Sequence, residues 1–365
     1  NYGPIWACVL TAVRAFQHAV GVADPWLLHL AVAAVLSAVD MALALALVRL
    51  ADVKTAVLFI LCPVSILISG LHSQFGNLAV LVGLWAWMLM RTPNDRVSGR
   101  RFFASAALFG LSLAVKHILV FFPLWLLLWR PLGNWRRRLV YVATVYGVFL
   151  FSFLPFVFSE GAIDGISRNV FGYSSFENNG IMPHVVNLLL PDAVIDRLFG
   201  WIPVFSDLKF VWLAGMLLTG IVALRIDPNR AYFHYLIAMV AWTPAMADQY
   251  LAIPLVACAI FRRVPECWLY CVAATLCLLG SPTNLGMLGG PFARLGDMYR
   301  RLGLGYAWVN VWLLLFVLSA ALIGLCRGPR SGSPPRTLGM MLSRKLRGGS
   351  SSTGKADRSR EAPSS

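Results

Sequence analysis

Charge is scarce in this chain, and acid is scarcer still. Only 13% of its 365 residues are Asp, Glu, Lys or Arg, where a soluble domain usually carries about 25%. Sixteen acidic residues face 31 basic ones, a formal net charge of +15. The sequence has no Gly-rich phosphate loop, no His-Glu-x-x-His pair and no nucleophile elbow, so cytosolic nucleotide chemistry has no support. It has seven cysteines (8, 62, 258, 267, 271, 277 and 326), and no pair has zinc-finger spacing. Cys267 and Cys271 are simply one helical turn apart, and thiols inside apolar runs read as small hydrophobes. Nothing in these patterns calls for a metal or a cofactor.

What the chain does have is apolar length. Hydrophobic residues make up 59% of it, with a mean hydropathy of +0.72. Repeated apolar spans of this kind point to one membrane bundle rather than to soluble domains. The basic residues lie in short clusters between apolar segments, and the stretch after Cys326 holds nine basic against two acidic residues. That distribution orients a membrane protein and contacts anionic lipid; it is not a nucleic-acid surface. Residues 1–326 read as a multi-spanning membrane domain. Residues 327–365, rich in Ser, Gly, Pro and Arg, read as a disordered basic cytoplasmic tail.

Taking each basic cluster as cytoplasmic gives a topology. Residues 28–50 form a full span. The apolar run between Lys54 and Arg91 is too long for one helix, since about 20 residues cross the hydrocarbon. The polar group His72-Ser73-Gln74-Phe75-Gly76-Asn77 divides it, so it reads as a hairpin of helices over 55–70 and 76–90 with an outer apex. Between the basic loops Arg91–Arg101 and Arg130–Arg138 an even number of crossings must fit, which makes Lys116-His117 the apex of a second short hairpin. Span 139–158 leads to an extracytoplasmic loop of about 159–206, and 208–224 returns. Residues 231–246 and 250–261 form a third hairpin with Asp248-Gln249-Tyr250 at its apex. Spans 265–281 and 307–325 complete eleven crossings. Arg294, Arg300 and Arg301 fall on the outer side in this scheme, against the rule.

Polar residues inside apolar runs are functional candidates, because each is costly there without a partner. His72, Gln74 and Asn77 at the first apex can hydrogen-bond a sugar or phosphate; the alternative is a wetted turn. Lys116, flanked by Leu113, Ala114, Val115, Ile118 and Leu119, needs an anion, a water-filled cavity, or room to snorkel. His117 stands beside it. Asp248, Gln249 and Tyr250 form the third polar apex. Asp40, deep in the first span, is expected to pair with a basic residue on a neighbouring helix. The outer loop adds Glu160, Asp164, Arg168, Tyr173, Glu177, Asn178, Asn179, His184 and Asp192, a mixture common at carbohydrate sites and in ordinary solvated loops alike.

Three of these segments carry a resemblance. Cys-Pro-Val-Ser-Ile-Leu-Ile-Ser-Gly-Leu-His-Ser-Gln-Phe at 62–75 resembles the His-x-Gln-Phe/Tyr apex of multi-spanning GT-C glycosyltransferases. The nearest are the dolichyl-phosphate-glucose-dependent enzymes and their bacterial relatives. Gly110-Leu-Ser-Leu-Ala-Val-Lys-His with Pro123 is similar to that family's glycine–lysine–proline segment, and Tyr2-Gly-Pro-Ile-Trp to its Tyr-Pro-Pro-Leu run. The resemblance covers most of residues 1–260.

It implies an all-α polytopic bundle with paired half-length helices. It also implies an enzyme that moves a sugar from a polyprenyl-phosphate donor to a glycan or lipid-linked acceptor on the extracytoplasmic side, with membrane lipids as the further partners. His72, Gln74, Asn77, Lys116, His117, Asp248, Gln249 and Tyr250 become substrate-binding residues. The catalytic carboxylate of such enzymes precedes the Tyr-Pro-Pro run, so it is expected upstream of Asn1, with one more span.

Where the eukaryotic glucosyltransferases carry His-Glu-Lys this chain reads Ala247-Asp248-Gln249-Tyr250, nearer the bacterial relatives. Twenty-six Arg against five Lys also fits a GC-rich bacterial genome. A bacterial inner membrane is therefore the expected location, with the endoplasmic reticulum membrane as the alternative. A transporter or flippase of lipid-linked sugars is the competing function, and a structural membrane subunit a third.

Overall fold

The computed structural model describes residues 3–21, 24–91, 97–168, 181, 185, 209–244, 246–280, 290–302 and 305–327. Most of the outer loop from 169 to 206, part of the loop after Arg91, and residues 328–365 lie outside the described residues, and with them the loop candidates from Tyr173 to Asp192 and the tail.

Among the described residues the chain is all helix, with no strand. Helix α1 is Pro4–Ala19, a segment the sequence reading assigned to no element. Helix α2 is Pro25–Leu50, started by Asp24, whose carboxylate accepts from the Trp26 N–H at 2.8 Å. Then come α3 (Val53–Ile60) and α4 (Pro63–Leu71), joined at a 51° bend where Pro63 cannot continue the preceding helix. The last turn of α4, Ile66–Leu71, is π-helical. Helix α5 (Gly76–Met90) packs along α6 (Gly99–Val115), which in turn packs on α8 (Trp135–Phe151). Between them the short α7 (Phe122–Leu126) leaves α6 at a bend of 118°. The second half holds α9 (Lys209–Ile226), α10 (Ala231–Ala241), α11 (Leu255–Ile260), α12 (Pro265–Gly280), α13 (Gly290–Arg301) and α14 (Tyr306–Arg327).

Among the described residues two helices, Pro25–Leu50 and Tyr306–Gly324, are long and apolar enough to cross a bilayer, and up to four spans result if each bent pair counts as one. Several shorter apolar helices stand beside them. This is a membrane protein of the all-helical kind. One detail departs from the topology drawn above. The span at 139–158 is a helix that ends at Phe151 and is followed by a separate turn, Leu154–Val157. Arg294, Arg300 and Arg301 sit in α13, a helix of their own.

The bundle interior is aromatic. Trp87, Trp125, Tyr141, Tyr232, Tyr235 and Phe122 are fully buried, and Phe122 meets Trp87, Tyr232 and Tyr235 edge-on at centroid distances of 5.6, 5.5 and 5.3 Å. Buried hydroxyls serve as interhelical ties: Tyr232 Oη donates to the Val80 carbonyl at 2.7 Å, and Ser112 Oγ donates to that of Ala79 at 2.7 Å. In hydrocarbon, such hydroxyl-to-carbonyl bonds hold helices together where the hydrophobic effect cannot.

Candidate functional site

The bend at Lys116 is where the site is made. Helix α6 stops at Val115, and Lys116 adopts extended dihedrals (φ −159°, ψ 132°) before a single 3-10 turn at His117–Leu119. Non-helical backbone at membrane depth is tolerated only when neighbours satisfy the freed polar groups, and here they do. Tyr235 Oη donates to the Ile118 carbonyl at 2.9 Å and accepts from the Phe121 N–H at 3.2 Å. Tyr146 Oη donates to the Val120 carbonyl at 2.6 Å. The Gly3 N–H donates to the Val115 carbonyl at 3.1 Å. A Cβ on Gly3 would stand 1.8 Å from the Ala114 carbonyl oxygen, so no other residue allows this approach.

Released from the helix, the Lys116 side chain runs inward and is 3% exposed. Its Nζ donates to Gln249 Oε1 at 2.8 Å. It also lies 5.3 Å from the Phe75 ring centroid and 6.0 Å from that of Tyr250. Among the described residues Lys116 has no carboxylate partner. A buried ammonium held by one neutral amide and two ring faces keeps most of its charge uncompensated. Three polar interruptions far apart in sequence, around 75, 116 and 249, therefore meet at one point.

The first apex is built by α4 and α5. The π turn carries the chain past a normal helical end: the His72 N–H reaches the Leu67 carbonyl at 3.0 Å, and the Gln74 N–H reaches that of Ile68 at 3.1 Å. π turns of this kind recur at functional sites. Ser73 then takes a left-handed φ of 50°, uncommon for a residue with a Cβ, and its Oγ pairs with His29 Nδ1 at 3.2 Å. Phe75 stacks on Trp6 of α1 with centroids 4.1 Å apart. His72 Nε2 and Gln74 Oε1 are buried and have no hydrogen-bond partner among the described residues. Orphaned buried polar atoms are rare and call for an explanation such as a bound group.

The other candidates are placed differently. Asn77 turns away to α2, where its Nδ2 donates to Asp40 Oδ1 at 2.6 Å and to Ser69 Oγ at 3.2 Å, while Ser65 Oγ reaches Asp40 Oδ2 at 3.3 Å. The basic partner expected for Asp40 is thus replaced by one amide and two hydroxyls. A carboxylate needs donors, and neutral N–H and O–H groups supply them without a second buried charge. Asn77 Oδ1 is left unpaired. His117 points to α8, its ring 6.5 Å from Phe149 and both nitrogens without a hydrogen-bond partner among the described residues. Asp248 accepts from Tyr306 Oη at 2.6 Å, which fastens α14 to the third apex.

Sequence reasoning selected Lys116, Gln249 and Tyr250, and the structure joins them. Phe75, within the first apex, is a wall of the Lys116 site that the polar pattern alone does not mark. Ser65 and Ser69, one turn apart inside an apolar run, could have been found as partners for Asp40. Tyr306 carried no signal of its own. Neither a scan against protein-family models nor a search of curated proteins gives a match to this chain.

Proposed function

We propose that this chain belongs to a membrane glycosyltransferase. It would move a sugar from a polyprenyl-phosphate carrier to a lipid-linked or surface glycan acceptor on the extracytoplasmic side of a polytopic GT-C-like bundle. The observation that carries the reading is Lys116: a cation 3% exposed, held by Gln249 and walled by Phe75 and Tyr250. A phosphate that enters beside it gains a buried counter-charge with little reorganisation, which is the electrostatic stabilisation a departing lipid phosphate needs. His72 and Gln74, with buried orphan atoms on the adjacent apex, supply hydrogen bonds for sugar hydroxyls. The acceptor hydroxyl needs a carboxylate base; the contacts of Lys116 include none, so that group comes from outside this cluster.

The competing reading, a transporter or flippase for lipid-linked sugars, draws on Asp40. A carboxylate deep in a span, ringed by Asn77, Ser65 and Ser69 beside a helix pair broken by 51°, is an arrangement that transport sites also use. One assay separates them. Purified full-length protein is reconstituted with a labelled polyprenyl-phosphate sugar and a glycan acceptor. Labelled glycan product supports the transferase, and carrier movement across the vesicle with its sugar bond intact supports the transporter. Neither outcome leaves a structural subunit.

A further inference from the structure

We propose that the cysteines gathered at the α3–α4 bend form a thiol–disulfide site, in which Cys62 and Cys271 are joined through oxidation by a membrane-dissolved quinone. The inference is independent of the function proposed above. Four of the seven cysteines, Cys62, Cys258, Cys267 and Cys271, line one cavity of about 350 Å³. They come from three parts of the chain. Cys62 stands at the N-terminus of α4, Cys258 lies in α11, and the other two lie one turn apart on α12. Apolar packing asks only that each thiol be buried; it does not ask that the thiols meet. Here they do: Cys271 interacts with both Cys62 and Cys258, and Cys258 with Cys267. Among the described residues no three His, Cys, Asp or Glu side chains are arranged to hold a metal ion. What the cluster offers is chemistry between pairs of sulfurs.

Backbone freedom selects the pair. A disulfide needs its two Cβ atoms about 3.8 Å apart, so one partner must be able to give. Cys62 sits between two helices at the 51° bend, with φ −67° and ψ 118° outside the helical range. Cys258 is fixed inside α11, where its N–H donates to the Pro254 carbonyl at 2.8 Å. Cys271 is the half-buried member of the four, while Cys62, Cys258 and Cys267 are buried.

The walls select the oxidant. Three lining side chains carry nitrogen or oxygen, and each is engaged. Arg262 pairs with Asp52, Trp268 Nε1 donates to the Arg262 carbonyl at 2.7 Å, and Thr275 Oγ1 donates to the Cys271 carbonyl at 2.8 Å. A charged oxidant such as glutathione disulfide would shed its water there and gain no partner. Leu61, Trp268 and Val272, which line the cavity at 67%, 49% and 55% exposure, open it to the apolar outside of the bundle. A neutral quinone ring enters from that side at little cost, and the cavity, at the small end of the usual range of roughly 300–1,000 Å³, suits one such ring. Two S–H bonds break and one S–S bond forms. The two protons and two electrons pass to the quinone oxygens, which leave as hydroquinone.

The test uses the full protein in nanodiscs without oxygen, with decylubiquinone as the oxidant. Free thiols should fall from seven to five per chain, two for one disulfide, and non-reducing peptide mapping should join Cys62 to Cys271. Glutathione disulfide at the same concentration should leave all seven thiols. Cys271→Ser should keep Cys62 reduced, whereas Cys258→Ser should leave the Cys62–Cys271 link in place. Val272→Phe, which retains every cysteine and narrows the opening, should slow the link severalfold at an unchanged unfolding temperature. Seven thiols after quinone treatment, a link that omits Cys62, or equal oxidation by glutathione disulfide overturns the proposal.

Discussion

The ammonium of Lys116 and the side-chain carbonyl of Gln249, 133 residues apart in sequence, meet at 2.8 Å. The bond ties the bend after α6 to the turn before α11, and it leaves two donor positions on Nζ for another acceptor.

Lys116→Met removes the cation and keeps an apolar chain of similar length. If the ammonium binds the carrier phosphate, donor affinity should fall by about 1.5–3 kcal/mol, the range for a hydrogen bond to a charged group, or roughly ten- to a hundredfold. Lys116→Arg should keep part of the binding, because charge survives with a different shape. Titration of the reconstituted protein with polyprenyl phosphate measures both. Equal affinity in wild type and Lys116→Met would end the phosphate-ligand role.

Gln249→Leu takes away the acceptor of Lys116 among the described residues. The ligand-free protein should lose about 1–3 kcal/mol, the cost of an unsatisfied buried donor, and saturating polyprenyl phosphate should restore much of it by giving the ammonium a new partner. Thermal unfolding in detergent with and without the lipid phosphate reads this. A loss that the lipid phosphate does not reduce would separate Gln249 from the binding site.

Asp40 distinguishes hydrogen bonding from charge. Asp40→Asn retains an oxygen for Asn77 Nδ2 and should be close to wild type in stability. Asp40→Leu removes the acceptor of Asn77 Nδ2 and Ser65 Oγ, and should cost about 1–3 kcal/mol. Identical unfolding temperatures for the two variants would contradict the amide–hydroxyl network.

Asp52 at the start of α3 accepts from the Thr55 N–H at 2.9 Å and is bridged by Arg262, with Nη2 to Oδ2 at 2.7 Å. The Arg262 guanidinium holds the Asp52 carboxyl well below the ordinary 3.8 of an aspartate. A depressed folded-state value means that the pair stabilises the protein above about pH 3.8 and that the contribution fades as acid protonates the carboxylate in the folded state. The unfolding temperatures of wild type and Asp52→Asn should therefore differ at neutral pH and converge as the pH falls below 3.8. A gap independent of pH would mean that the cap, not the charge, is what matters.

Topology is open to labelling. A cysteine at Ser73 should react with an impermeant maleimide from the extracytoplasmic side, and one at Asn134, which caps α8 beside the basic cluster, only after permeabilisation. Labelling of position 73 from the cytoplasm would invert the bundle and move the Lys116 site to the wrong face for a lipid-carried sugar.

The apolar rhythm and its interruptions were legible in the sequence, because a polar residue within a run of Leu, Val and Ala is visible without knowing its neighbours. The turn at His72–Phe75 and the break at Lys116 come from that signal alone. Partners were not legible. Nothing local to Lys116 names Gln249, and nothing local to Asp40 shows that an amide and two hydroxyls, rather than a cation, would face it. Helix α1 was missed because Thr11, Arg14, Gln17 and His18 interrupt its apolar pattern. Among the described residues several of the expected crossings are short apolar helices or bent pairs rather than single long helices.

The Gly3–Val115 and Lys116–Gln249 contacts also set an order of events at the ribosome. Gly3 closes on the α6 end once Val115 has been made, whereas the ammonium gains its amide only after position 249 emerges, and Asp248 gains its phenol only with Tyr306. Long-range contacts of this kind form late, after local helices are in place. Nascent chains halted before residue 249 thus carry an unpartnered lysine inside the bilayer, the kind of exposed polar defect that quality-control proteases can read. Completion of this one hydrogen bond would mark the moment at which the half-made protein becomes safe from them.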